Sequence, residues 1–320
     1  MHSILDIAQE MYPDLVVCVL DTIKHDRQLI DDAIESWKNK NSKVLIYSLD
    51  NFTNDRQHIN HIRSKFENFA FTTPGHHEDD GHINNIDYLT RFTCGKVHPK
   101  IDHFNFKKHS FVFLVGKLHE HRKNLLESLA KRGILNHTLL SLRNSGQAHK
   151  HLLPEHSPLP KEYEWPEILE VGDFKAGWND GHSPMAIAFN KNIGMAHTKL
   201  YKDTAFSIVS ETNIDKDINY ITEKTWTPVV GEHIIVSHGN KGNNDFLESL
   251  GFKIYNEFIP LYDESDHTKV TDVCENILRE SITTVYKHTQ KQRENNRRLA
   301  LDEQHWVNYH REQLTSYFKQ

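Results

Sequence analysis

Apolar residues in the first seventy positions fall into two alternating rhythms. "DLVVCVLD" (Asp14–Asp21) is a short, valine-rich apolar run, the pattern of a strand buried on both faces. "RQLIDDAIESWKNK" then places Leu29, Ile30, Ala33, Ile34 and Trp37 at helical spacing. "KVLIYSLD" (Lys43–Asp50) returns to the strand pattern. "RQHINHIRSKFENF" predicts a second helix and "AFTT" a third strand. Strand, helix, strand, helix, strand is the βαβαβ pattern of a doubly wound sheet.

The pattern restarts after the polar stretch "HPKIDHFNFKKH", which places a boundary near Lys100–Lys108. Phe111–Val115 reads as a strand, Gly116–His121 as a loop, and Lys123–Lys131 as a helix with Leu125, Leu126 and Leu129 inward. Gly133 is a helix terminator, and Thr138–Leu142 is the next strand. From Ser145 to about Asn192, proline and turn residues predict a long irregular excursion. Ala205–Thr212 is then a strand, Thr222–Val230 a helix, His233–Ser237 a strand, and "NNDFLESLGF" a short helix with Gly251 near its end. Val270–Tyr317 is mostly helical. The expectation is an α/β chain of two Rossmann-like halves, residues 1–105 and 106–320, with terminal helices. Ligand belongs at the carboxyl ends of the strands.

Composition narrows the function. A chain of 320 residues fits two domains, and its formal net charge of −6 gives no global positive field for nucleic acid or anionic membrane. The three cysteines, Cys18, Cys94 and Cys274, are far apart and form no CxxC pair, which points to a reducing, cytoplasmic setting. No stretch approaches the ~18 apolar residues of a membrane span. The 24 histidines reduce the weight of any single one. G-x-G-x-x-G, G-x-x-x-x-G-K-[ST] and G-x-S-x-G are all absent, which disfavours dinucleotide oxidoreductases, P-loop enzymes and serine hydrolases.

Four stretches carry candidate chemistry. In "YITEKTW", Thr222 is an N-cap, Lys224 suits a diphosphate at a helix N-terminus, and Glu223 suits ribose hydroxyls. The alternative is a solvated helix start. "FSIVSET" ends a buried strand on Glu211, at the edge of the ligand crevice; the alternative is a surface carboxylate. "GKLHEHR" puts His119, His121 and Arg122 where a phosphate-binding turn would lie, and Arg122 is the side chain suited to forked phosphate contact. A basic helix start conflicts locally with the helix dipole. "TPGHHEDDGHIN" offers His77, Glu78 and Asp80 as general bases, with Asp21 at the end of the first strand as competitor. Its spacing matches no metal motif, so no metal site is assigned.

Together, "FVFLVGKLHEHRKNLLESL", "FSIVSETN" and "YITEKTW" followed by "HIIVSHGN" resemble the donor half of the α1,3-fucosyltransferase-like glycosyltransferases and related phage and bacterial sugar transferases. The similarity covers roughly residues 110–255. It implies a GT-B architecture, two Rossmann-like domains facing a central cleft, and transfer without a bound metal or other cofactor. It also implies that Arg122 and Lys224 contact the donor diphosphate. Glu223 would hold the ribose and Glu211 would face the sugar. The expected enzyme moves a sugar from a nucleotide-diphosphate sugar to an acceptor hydroxyl, the acceptor being a glycan or saccharide or, as the alternative, a hydroxylated or hydroxymethylated base in DNA. A non-catalytic nucleotide-binding scaffold is the reading from a different class. "SETN" and Pro228 inside "EKTWTP" depart from the family pattern.

Overall fold

The computed structural model describes residues 4–20, 27–38, 43–47, 52–66, 68–74, 82–85, 110–115, 118–142, 198–212, 214, 219 and 221–318. It is an α/β chain with two parallel sheets. The first half runs α1 (Ile4–Met11), β1 (Val16–Val19), α2 (Arg27–Lys38), β2 (Val44–Tyr47), α3 (Phe52–Arg63), β3 (Phe69–Pro74) and β4 (His82–Asn85). Its strands pair in parallel in the order β1-β2-β3-β4. Successive side chains of a strand point to opposite faces, and β2 is buried on both. Val44 and Ile46 pack with Ile30, Ile34, Ile59 and Ile62 from α2 and α3. Leu45 and Tyr47 face the other way, into a second core with Ile4 and Ile7 of α1.

The second half continues β5 (Phe111–Val115), α4 (Glu120–Lys131), a 3-10 turn (Ile134–His137), β6 (Thr138–Leu142), α5 (Thr198–Asp203), β7 (Phe206–Ser210), α6 (Glu223–Val230), β8 (Ile234–His238) and α7 (Asn243–Ser249). Its sheet is also parallel, in the order β6-β5-β7-β8. Phe111, Phe113, Phe206, Ile208, Ile234 and Val236 form one apolar face, covered by α4, α8 (His267–Arg279) and α9 (Ile282–His288). On the other side Trp226, Val229, Phe246 and Phe252 gather around Trp306.

Two more helices, α10 (Gln290–Leu301) and α11 (Glu303–Phe318), complete the described chain. Trp306, near the start of α11, packs in the second half, whereas Leu314 and Phe318 lie in the core of the first sheet beside Ile4, Ile7 and Ala8. The last helix therefore ties the end of the chain to its beginning.

The strands β5 and β6 coincide with the expected ranges. Helix α4 starts earlier than expected, with His119 as its N-cap, so His121 and Arg122 stand in its first turn rather than in a loop. Gly133 has φ +71° and Gly251 φ +92°, the left-handed conformation that ends helices cheaply only at glycine. The boundary near residues 100–108 and the excursion from 145 to 192 lie outside the described residues.

Candidate functional site

The order β6-β5-β7-β8 reverses direction between β5 and β7, because the chain steps from β5 to one side and then returns to build the other. At such a switch point the loops leaving two neighbouring strands part, and a crevice opens outside their carboxyl ends. The turn from β5 into α4 delivers His119, His121 and Arg122 there. The end of β7 delivers Ser210 and Glu211.

Glu211 is fully buried. One carboxylate oxygen accepts from the Thr222 amide (3.1 Å) and the Thr225 hydroxyl (2.7 Å), and the other accepts from the Thr222 hydroxyl (2.6 Å). Its carboxylate thus clamps the first turn of α6 to the end of β7. Burial raises its pKa, against the pull of Lys224 and of these donors. The resemblance implies that Glu211 faces a sugar; here both its oxygens accept from the first turn of α6, so the carboxylate also holds that helix in place. Arg122, also buried, donates through Nη2 to the Ser210 carbonyl (2.9 Å), and Glu211 and Glu223 balance its charge. It lies beneath the crevice rather than in it.

Thr222 caps α6 as expected: its backbone is extended and its hydroxyl accepts from the Lys224 amide at 3.4 Å. Lys224 Nζ donates to Glu223 Oε1 (2.9 Å) and to the Thr222 hydroxyl (3.2 Å). The Glu223–Lys224 pair is neither free in solvent nor sealed. Both residues line an open cleft with Val112, Leu114, Val209 and Pro228. Pro228 has no N–H to return to the Lys224 carbonyl, so this two-turn helix lacks that i→i−4 bond.

Three imidazoles form a row at the carboxyl ends of β5 and β8, outside the residues that line this cleft. The exposed His119 ring stacks on His121, with centroids 5.7 Å apart and planes 7° apart, and His121 lies 5.7 Å from His238. His121 Nε2 is 3.0 Å from the Glu211 carbonyl, an acceptor only, so Nε2 carries the proton. Burial lowers the pKa of His121 to about 4 and of His238 to about 3, so both are neutral at physiological pH. His238 Nδ1 pairs with the Ser210 hydroxyl at 2.9 Å.

Burial also lowers His233 and His310 to about 3. A histidine whose folded pKa lies below its unfolded value of about 6.5 favours the unfolded chain as pH falls, because only the unfolded chain takes up the proton. Stability is therefore lost from about pH 6.5 downward, and the loss levels off at the folded pKa. His310 is fully buried and neither ring nitrogen has a partner among the described residues. His310→Leu is expected to shrink the drop in urea midpoint between pH 7 and pH 5. An unchanged drop would show that His310 titrates normally.

Beyond β8 the chain turns through "GNKGNN". Gly239 donates to the Glu264 carbonyl (3.0 Å), and the Glu264 carboxylate accepts from the amides of Gly242 (3.2 Å) and Asn244 (3.0 Å), capping the turn into α7. A Cβ on Gly239 would lie 2.2 Å from Asn243 Nδ2, so any larger residue would require the Asn243 amide to move. Asn240 is 3% exposed, and neither its amide oxygen nor its amide nitrogen has a partner among the described residues. Asn243 Oδ1 is likewise unpartnered and buried.

The structure thus brings Arg122, His119, Glu211, Thr222, Glu223 and Lys224 to one end of the second sheet. The general-base candidates Asp21, His77, Glu78 and Asp80 lie outside the described residues. Among the described residues no three His, Cys, Asp or Glu side chains gather as a metal would require, and no helix is long and apolar enough to cross a membrane. Sequence reasoning missed His238, Asn240, Asn243 and Glu264; the available signal was a strand running into two glycines separated by asparagine and lysine. Comparison with protein-family models, with curated proteins and with solved structures found no match to this chain.

Proposed function

We propose that this chain is a glycosyltransferase of GT-B type, moving a sugar from a nucleotide-diphosphate sugar to an acceptor hydroxyl. The observation that carries the reading is the meeting of Glu223, Lys224 and a buried Arg122 at the switch point of a parallel sheet. Lys224 would leave its pairing with Glu223 to meet the diphosphate, and Glu223 would then turn to the ribose hydroxyls. Arg122 stays beneath, adding positive potential to the place where the leaving group gathers charge. Preorganised charge of this kind stabilises a departing diphosphate without requiring a metal. The acceptor hydroxyl needs a general base from the first half of the chain, for which Glu78, His77, Asp80 and Asp21 are the candidates.

A glycan or saccharide suits the acceptor side better than DNA. In "KQRENNRR", the basic stretch that would have gripped phosphate, Arg293 is buried and Arg297 turns inward to the Val230 carbonyl and Glu232. That leaves too few outward cations in the stretch for a phosphate grip.

A thermal-shift screen over nucleoside diphosphates and their sugars tests the reading. A ligand at 100 times its Kd stabilises the native state by about 2.7 kcal/mol. Lys224→Ala is expected to weaken the best ligand by about ten- to a hundredfold, the worth of a charged hydrogen bond. No shift with any nucleotide, or an unchanged affinity in Lys224→Ala, would count decisively against it.

A further inference from the structure

At the same carboxyl end of the sheet, beside Glu211, lies a group of neutral polar side chains. His121 is half-buried, its Nε2–H is spent on the Glu211 carbonyl, and its Nδ1 has no partner among the described residues. A neutral imidazole held in this tautomer offers one acceptor and no second donor. It therefore suits a hydroxyl and would be a poor companion for a phosphate oxygen, which also only accepts. His238, packed beside His121, spends Nδ1 on Ser210. Two residues further on, Asn240 is buried, and neither its amide donor nor its amide acceptor has a partner among the described residues. Buried polar groups are almost always paired, so an amide with both functions open calls for an explanation. The amides that would otherwise draw an anion to this turn, those of Gly242 and Asn244, are already held by the Glu264 carboxylate. What remains is a hydroxyl acceptor on His121 and an amide on Asn240 that can both give and take a hydrogen bond.

We propose that His121 and Asn240 form the subsite for the sugar of the donor, with His121 Nδ1 accepting one sugar hydroxyl and the Asn240 amide pairing with another. A sugar hydroxyl donates and accepts at once, which matches an amide with both functions open. This subsite rests on the nucleotide-sugar reading and adds which end of the crevice reads the sugar.

The test compares each nucleoside diphosphate with its sugar, GDP with GDP-fucose and UDP with UDP-glucose and UDP-galactose, by calorimetry on the full chain. The variants are His121→Phe, which keeps the ring and removes the acceptor, and Asn240→Leu, which replaces the unmet amide with an apolar group of similar size. Asn240→Leu is expected to leave the free protein as stable as wild type or more so, because it removes unpaired buried groups. In each variant the affinity for the nucleotide sugar is expected to fall about tenfold, while the affinity for the bare diphosphate stays unchanged. A fall shared equally by diphosphate and sugar, or no fall in either variant, overturns the subsite and leaves the nucleotide reading standing. Failure of the wild-type protein to bind any of these nucleotides overturns both.

Discussion

Glu211→Ala is expected to remove about 3–5 kcal/mol of stability, the cost of leaving a buried charge without its partner. The carboxylate accepts three hydrogen bonds from Thr222 and Thr225 and offsets the charge of Arg122, which is itself buried. Alanine would strand all of these groups at once. Glu211→Gln keeps one oxygen acceptor and nearly the same volume, so it is expected to lose less than the alanine variant while leaving only Glu223 to balance Arg122. The two losses can be read from urea midpoints, provided the slopes with denaturant stay equal. In the double variant Glu211→Gln with Arg122→Met, part of the loss should be recovered, because the buried cation has gone with its partner. Simple additivity in that cycle, or a cost below about 1 kcal/mol for alanine, would mean that Glu211 and Arg122 do not act as a unit.

The same cluster shows how far a sequence carries such a site. "FSIVSET" read as a buried strand ending on a carboxylate, and "YITEKTW" as a capped helix start; both stand as expected, since each depends on residues adjacent in the chain. That the carboxylate of one closes on the hydroxyls of the other depends on two segments meeting in space, which local pattern does not encode. Histidine abundance hid the opposite kind of signal: His121 and His238 differ from the other histidines only by what buries them. Strand β4 was missed because "HINN" reads polar, although His82 and Ile83 are both buried. The helical character of "EQHWVNYHREQLTSYF" was legible from Trp306, His310, Leu314 and Phe318 at four-residue spacing. Its return to the first sheet was not, because amphipathicity shows that a face is buried and is silent about which partner buries it.

Long-range meeting of this kind also governs the far end of α6, where Arg293→Leu is expected to cost about 3–5 kcal/mol, again the scale of a broken buried ion pair. Glu232 has φ 57°, the left-handed region that a side-chain-bearing residue enters at a cost of about 1–2 kcal/mol. It is held there from the terminal helices. Its carbonyl accepts from the Tyr286 hydroxyl (3.1 Å) and from Arg293 Nη1 (3.2 Å), and its carboxylate lies 3.7 Å from the same guanidinium. Arg293 also donates to the Tyr286 carbonyl (2.7 Å) and stacks over the Tyr286 ring at 3.2 Å, while Arg297 reaches the Val230 carbonyl at the last residue of α6. A planar fork serves these partners together, and an ammonium does not, so Arg293→Lys is expected to recover less than half of the loss despite keeping the charge. Because this network fixes the turn between α6 and β8, a loosened Glu232 frees the end of the helix whose beginning carries Glu223 and Lys224. Hydrogen exchange in the Arg293→Leu variant should accordingly rise at the amides of Gly231, Glu232 and His233 more than along β5, whose pairing does not touch the network. An even rise across both regions would mean that Arg293 stabilises the whole fold without any special hold on α6.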